Sequence, residues 1–470
     1  MLNPTGIFGY DDPMATWEGA CWMKDLSGRI GHLPLATLSL VGTHNSASAS
    51  ISFESDVAPD CPVDIPLGDQ PTFTPPPSPS ERVLGKLSAV KRKLMLRVAA
   101  VWARNQSRSV AEQLRMGVRY LDLRVAPNHA RGGGLYITHG LFACSLEEVC
   151  TAIRDFAVEN PQEVVVVDFQ HLLHFTQPLT ADAISSMESL RNALRDILGP
   201  VATDASVGPH STLNAIWETK RSLMVVVPDF SVKYLPPFVR PRSTTLVSTW
   251  HNAQSVDVLI KAAHEEAVKG RLEHAARLAV ATAQRTTPAP MPMFVTQGVL
   301  TPEAFEVAVG VARLGPSSVK HLANTVNSHV TRYYAATCAS STGPLSHRQA
   351  SAHNFKKYRL RETALCGCSP EDGSEKCAWC VQNCHRNILM LDYVETAKIL
   401  AQCSGGGVKP PSPPKKGLLE RLSVPKDPTI NRQCPHFISA IDMCIHINLR
   451  RAAEMEPPST EATSTTKPIA

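Results

Sequence analysis

The chain has 470 residues, enough at about 100–200 residues per domain for two or three domains, or for one barrel of about 250 residues with insertions. Hydrophobic residues make up 43% and charged residues 19%, which excludes a chain disordered throughout. Lys+Arg 47 against Asp+Glu 42 leaves a net charge of +5, too weak a bias for a dedicated nucleic-acid binder.

No apolar run reaches the roughly 18–20 residues that cross a bilayer, so no membrane-spanning helix is predicted. The opening MLNPTGIFGYDDPMATWEGA lacks the basic start and apolar stretch of a secretory signal. Thirteen cysteines, an odd number, argue for reduced thiols over a disulfide framework.

In chain order, eight short apolar or β-branched runs read as strands. They are 37–44 (TLSLVGTH), 118–125 (VRYLDLRV), 135–139 (LYITH), 163–169 (EVVVVDF), 222–227 (SLMVVV), 245–250 (TLVSTW), 293–299 (MFVTQGV) and 387–394 (NILMLDYV). Near-continuous apolar runs suit parallel strands buried on both faces. Helical patterns lie between them at 145–160, 180–198, 256–282 and 302–337. Strands alternating with helices in this number predict an α/β fold, a TIM-type (β/α)8 barrel with loop insertions. Gly132–Gly134 precedes the third strand without opening a helix and reads as a turn.

One barrel domain is expected over residues 1–455, with inserts at about 56–85, 340–386 and 403–433 and a disordered tail at 456–470. Residues 60–81 include PTFTPPPSPSE and read as a proline-rich loop. The second insert holds Cys366, Cys368, Cys377, Cys380 and Cys384, followed by His385. Four of these thiolates could hold one zinc; acylated or free thiols are the alternatives.

Chemistry in such a barrel sits at the C-terminal strand ends. The first strand ends in GTHNS (42–46). Asp122 and Arg124, two apart, share one face of the second. His139 ends the third, Asp168 the fourth with His171 beyond it, and Asp392 the eighth. A buried histidine is ordinarily a satisfied core residue, Asp122 and Arg124 suit an internal ion pair, and Asp392 suits a helix cap. Their coincidence at strand ends carries the functional reading: two histidines for acid–base work and an arginine for phosphate oxygens.

GTHNS, GVRYLDLR, ITHG and VVVDFQH resemble the catalytic half of the phosphatidylinositol-specific phospholipase C X-domain family. The blocks STWHNAQSVDVLI, MFVTQGVLTP, NILMLDYVE and MCIHINL extend the likeness to its trypanosomatid glycosylphosphatidylinositol (GPI)-specific branch, over about residues 37–449 apart from the inserts. The resemblance implies that His44 is the general base on the inositol 2-hydroxyl and His139 the general acid on the leaving diacylglycerol oxygen. It implies that Asp392 orients His44 and that Asp122 positions Arg124; Asn45 reads as a substrate contact, and His171, beyond a strand end, suits either a contact to the inositol or phosphate or a structural role. The products would be diacylglycerol and an inositol 1,2-cyclic phosphate. Arg124 stands where calcium-dependent relatives carry a second carboxylate, so no metal or other cofactor is expected. Secreted bacterial relatives carry an aspartate where Asn45 stands, which leaves open how His139 stays protonated.

The implied partner is a membrane lipid, GPI or phosphatidylinositol, met by peripheral binding at the cytoplasmic face, at intracellular membranes or at the cell surface. Residues 86–104 mix six basic residues with Leu, Val, Met and Trp102, which suits either an interfacial amphipathic helix or an ordinary barrel-covering one. Lys220 and Arg221 precede a strand and read as solvated. The alternatives are a calcium-dependent glycerophosphodiester phosphodiesterase, which Arg124 opposes, and a phosphoinositide-binding pseudoenzyme, which the intact His44, Arg124, His139 and Asp392 oppose.

Overall fold

A computed structural model describes residues 19–61, 79–175, 180–286, 292–302, 307, 317–338, 387–400 and 437–455. The expected inserts at 340–386 and 403–433, the cysteine cluster within the first of them, and the 456–470 tail lie outside the described residues.

The strands are β1 (Leu40–Thr43), β2 (Tyr120–Asn128), β3 (Gly134–His139), β4 (Leu141–Ser145), β5 (Val165–Leu172), β6 (Leu223–Val227), β7 (Arg240–Pro241), β8 (Leu246–Ser248), β9 (Met293–Gln297), β10 (Ile388–Leu391), β11 (Lys398–Leu400) and β12 (Phe437–Ser439). A parallel sheet runs in the order β7-β6-β5-β2-β1-β10-β9-β8, which is the cyclic strand order of an eight-stranded barrel. Consecutive strands β7 and β8 end the path at either side, so the curled sheet has one unpaired seam among the described residues. β11 and β12 form a separate antiparallel pair.

Four expectations change. Residues 135–139 are not a barrel strand. They fall in β3, which turns back antiparallel along β2 and pairs with β4. Gly132 and Gly133, at φ +76° and +79°, make the turn that the glycine run implied. The barrel strand that patterning overlooks is β7, whose two residues are too few to show any period. Of the helix expected over 302–337, residue 307 and Val319–Cys338 are described as helical, and residues 317–318 are not. The proline-rich reading of 60–81 also ends early, because a helix runs over Pro79–Ala103.

The sequence explains the rest locally. Val164 to Val167 and Leu223 to Val227 are fully buried runs, as double-sided covering demands. In the helix Leu146–Glu159, Leu146, Val149, Cys150, Ile153, Phe156 and Ala157 recur at helical spacing and turn inward. Ser145 caps it by accepting from the Glu148 N–H at 3.2 Å. Ser109 and Glu112 form a reciprocal capping box before the helix Val110–Met116. Gly117 ends that helix at φ +110°, and a Cβ there would meet Ile441 Cγ2 at 2.7 Å. Before the barrel's first strand, the Ser39 N–H and carbonyl are gripped by the Asn448 side chain at 2.7 and 2.9 Å. Asn448 belongs to the helix Ala440–Met455, so the end of the chain secures the first strand. The described cysteines Cys21, Cys61, Cys144, Cys150 and Cys444 form no disulfide. Lys220 and Arg221 are exposed.

Candidate active site

Parallel pairing sets Thr43 of β1 opposite Leu391 of β10, so His44 and Asp392 leave the two strands side by side. Both are buried. His44 donates its Nδ1–H to Asp392 Oδ1 at 2.9 Å. That bond fixes the tautomer and leaves the Nε2 lone pair as the basic site. The Asn45 side-chain amide donates to this Nε2 at 3.1 Å and to Asn105 Oδ1 at 3.1 Å. Asn105 in turn donates to Asp392 Oδ1 at 2.9 Å. Gln106 donates from one amide to the His44 and Leu391 carbonyls, at 3.0 and 2.8 Å, and so clamps the two strand ends together.

His139 reaches the same mouth by a different route. β2 runs past the rim, and β3 returns along it with Ile137 opposite Val125, bringing His139 back to the level of the strand ends. Its ring centroid lies 6.0 Å from that of His44, edge-on at 71°. Its Nδ1–H donates to the Ala103 carbonyl at 2.7 Å, where the helix Pro79–Ala103 ends, so Nε2 is the atom left for proton transfer. Burial, then the charges of Arg124 and His44, pull its pKa down to about 4; the Ala103 carbonyl and Asp60 oppose them.

Asp122 is fully buried and accepts the Asn45 peptide N–H at 3.0 Å. It forms no ion pair with Arg124, contrary to the positioning role the resemblance implies. Its carboxylate secures the turn after β1 instead, helped by the Ser46 hydroxyl, which accepts from the Asp122 N–H at 2.8 Å. Arg124 is half-buried, and its Nε has no hydrogen-bond partner. His171 lies opposite Arg124 on β5, exposed at the rim. Partial covering and the Arg124 charge lower its pKa.

Sequence patterning does not reach Arg242, Asn105, Gln106, Trp250 or Asp60. Arg242 follows the two-residue β7. Its Nε lies 3.2 and 3.1 Å from the two oxygens of Asp168, which also accepts from Tyr120 Oη at 2.8 Å. Burial pushes the Asp168 carboxyl up to about 6, against the opposing Arg242 charge. Trp250 leaves β8 exposed, with its ring centroid 5.7 Å from His44. Among the expected residues, His44, Asn45, Asp122, Arg124, His139, His171 and Asp392 all converge on one mouth.

Four polar atoms there are buried and unpartnered: Asn45 Oδ1, Asp122 Oδ1, Arg124 Nε and Arg242 Nη2. Buried polar groups are nearly always satisfied, so two acceptors and two cationic donors left open at one mouth suit a ligand bearing both hydroxyls and negative charge.

Residues 86–205 match the family described as phosphatidylinositol-specific phospholipase C, X domain. That segment is similar to the X domain of this family. The matched segment covers β2 to β5, which carry Asp122, Arg124, His139, Asp168 and His171. Likeness beyond the X domain is broad. The chain is 26% identical over 458 residues to the variant-surface-glycoprotein phospholipase C of Trypanosoma cruzi, covering 95% of this chain and 96% of that one. It is 28% identical over 295 residues to the Trypanosoma brucei brucei protein of the same name, covering 62% and 73%. The human PI-PLC X domain-containing protein 3 is 26% identical over 294 residues, covering 62% and 78%. Among solved structures, the phosphatidylinositol-specific phospholipase C from Listeria monocytogenes aligns at a TM-score of 0.41 and 16% identity, over 81% of this chain and 97% of that one.

Proposed function

We propose that this chain is a phospholipase C that cleaves phosphatidylinositol or GPI anchors, forming diacylglycerol and an inositol 1,2-cyclic phosphate. One observation carries the reading: two histidines face each other with ring centroids 6.0 Å apart, one backed by a buried carboxylate, with a half-buried arginine beside them.

In this mechanism His44 Nε2 exchanges the Asn45 amide for the inositol 2-hydroxyl and takes its proton. The 2-oxygen attacks the adjacent phosphorus in line, and the bond from phosphorus to the diacylglycerol oxygen breaks. His139 Nε2–H delivers a proton to that oxygen. Holding the nucleophile next to phosphorus makes the attack intramolecular, which removes much of the entropic barrier. Asp392 stabilises the imidazolium that forms on His44. Arg124 lies where charge grows on the non-bridging oxygens. An incoming phosphodiester brings negative charge between Arg124 and His139 and so raises the His139 pKa toward the range a general acid needs. Arg242 and Asp168 are placed to meet inositol hydroxyls.

The guanidinium of Arg124 supplies fixed positive charge at the mouth, which supports a reaction that needs no divalent cation. The lipid is met at a peripheral surface. On the helix Pro79–Ala103, Val90, Leu94, Arg97 and Val101 share one face by their spacing, and all four are exposed. Arg97 stacks over exposed Phe53 at 5.3 Å. Apolar and basic groups side by side suit an anionic bilayer surface. Among the described residues no helix is long and apolar enough to cross a membrane.

The test is to present vesicles of phosphatidylinositol, and separately a GPI-anchored protein, in excess EDTA, and to follow products by phosphorus NMR. A five-membered cyclic phosphate signal with release of diacylglycerol is expected on at least one substrate. Acyclic inositol phosphate as the first product, or activity that only calcium restores, would overturn the mechanism.

A further inference from the structure

Among the described residues four carboxylates stand near the mouth, and three are engaged away from His139. Asp392 accepts from His44 and Asn105. Asp122 accepts the Asn45 peptide N–H, and Asp168 accepts from Tyr120 and Arg242. The fourth, Asp60, is bound to the residues on both sides of His139. Its Oδ1 accepts from Thr138 Oγ1 at 2.7 Å and from the Gly140 N–H at 2.9 Å.

The segment carrying Asp60 is docked for this purpose. Val57 bridges antiparallel to Leu141 of β4, the Ala58 N–H donates to the Gly140 carbonyl at 3.1 Å, and the Phe142 N–H donates to the Asp56 carbonyl at 2.9 Å. Gly140 sits at φ +70°, a conformation that lets β3 turn sharply into β4 directly after His139. The Asp60 carboxylate therefore grips the backbone of that turn.

We propose that Asp60 positions His139 and supplies the negative charge that favours its protonated, acid form. Asn45 carries no charge, and its amide engages His44, so it performs neither task for His139. Against the acid form, Arg124 from β2 and His44 after β1 act most strongly, and both disfavour protonation of His139. β4 contributes no charged side chain, and the helix end contributes the Ala103 carbonyl with Arg104 exposed next to it. Among the groups that act most strongly on His139, Asp60 is the anion on the side of protonation, and its carboxylate holds both residues flanking the ring. It is a positioning residue, and the inference rests on the general-acid role proposed above for His139.

Asp60→Asn tests it, because an asparagine oxygen still accepts from Thr138 and Gly140 while the charge is gone. With phosphatidylinositol as substrate, kcat/KM at neutral pH should fall roughly tenfold or more, within the range of about 10²–10⁴ that a general acid supplies. Loss of a nearby negative charge lowers the His139 pKa, so the alkaline limb of the profile moves to lower pH, by on the order of one unit. With an aryl inositol phosphate, whose leaving group needs little protonation, the loss should shrink several-fold. Thr138→Val removes one hydrogen bond and keeps the charge, and should leave the limb in place. Histidine NMR of His139 provides a readout independent of turnover, with the Asp60→Asn protein titrating lower than wild type. An unchanged His139 titration, or an equal loss on lipid and aryl substrates, would overturn the proposal. Absence of wild-type turnover on any inositol phosphodiester would instead sink the functional reading, and the NMR comparison would still decide whether Asp60 acts on His139.

Discussion

Single side chains divide the chemistry unevenly. His44 has a carboxylate partner at 2.9 Å, whereas the His139 imidazole is held by a peptide carbonyl at 2.7 Å. Carboxylate support suits a base that must become cationic, and carbonyl support fixes a tautomer without adding full charge. Each histidine should be worth about 10²–10⁴ in rate, so His44→Ala and His139→Ala should each lose that much kcat on phosphatidylinositol while melting near the wild-type temperature. A near-normal rate in either would reassign the roles. Arg124 makes no ion pair with Asp122, so its unpartnered Nε is available to substrate. Arg124→Lys keeps the charge but loses the planar fork, and kcat should fall by on the order of 10². A rate close to wild type would mean that bulk charge suffices. The sequence already exposed His44, Arg124, His139 and Asp392, because each ends or lines a strand with a visible apolar period. Arg242 and Asn105 were invisible for a local reason. One follows a two-residue strand and the other a helix end, and neither context leaves a periodic mark.

At the level of elements, the helix Pro79–Ala103 joins two tasks. Its inner residues Leu96, Ala100 and Ala103 pack with Ile51 and Leu141, while its outer face leaves Leu94 58% and Val101 38% exposed. Exposed leucine and valine on a basic helix cost little in water and gain by entering a lipid surface. Leu94→Glu with Val101→Glu should therefore weaken sedimentation with phosphatidylinositol vesicles by roughly tenfold or more, since each side chain buried is worth about 1.5–3 kcal/mol. Hydrolysis of a short-chain monomeric substrate should be unaffected. Equal loss on both would show that the helix acts only through the fold. The amphipathic pattern of this segment was legible, but its position was not. The apolar period says that one face is buried and cannot say that the C-terminal carbonyl will meet His139. The β2–β3 hairpin was misread for a related reason. A buried antiparallel strand and a buried parallel one present the same apolar run, and only the partner's direction tells them apart.

For the whole molecule, the α/β barrel was legible because seven of its eight parallel strands leave near-continuous apolar runs, broken by helices of the expected length. What anchors its first strand was less legible, since the helix Ala440–Met455 acts through the Asn448 contacts to Ser39, across 409 residues. Truncation after residue 439 would remove those bonds and the burial of Met443, Cys444, Ile445 and Ile447. At about 1.5–3 kcal/mol per buried side chain, against a total stability of about 5–15 kcal/mol, the shortened protein should lose its cooperative thermal transition by circular dichroism. A retained transition near the wild-type temperature would make that helix dispensable. The His44–Asp392 pair, separated by 348 residues, extends the same logic to the timing of activity. A nascent chain emerging from the ribosome presents His44, Arg124 and His139 early, but His44 lacks its carboxylate partner until residue 392 is made and β10 docks beside β1. On the mechanism proposed above, the acid–base pair is thereby completed only after nearly all of the barrel has been made.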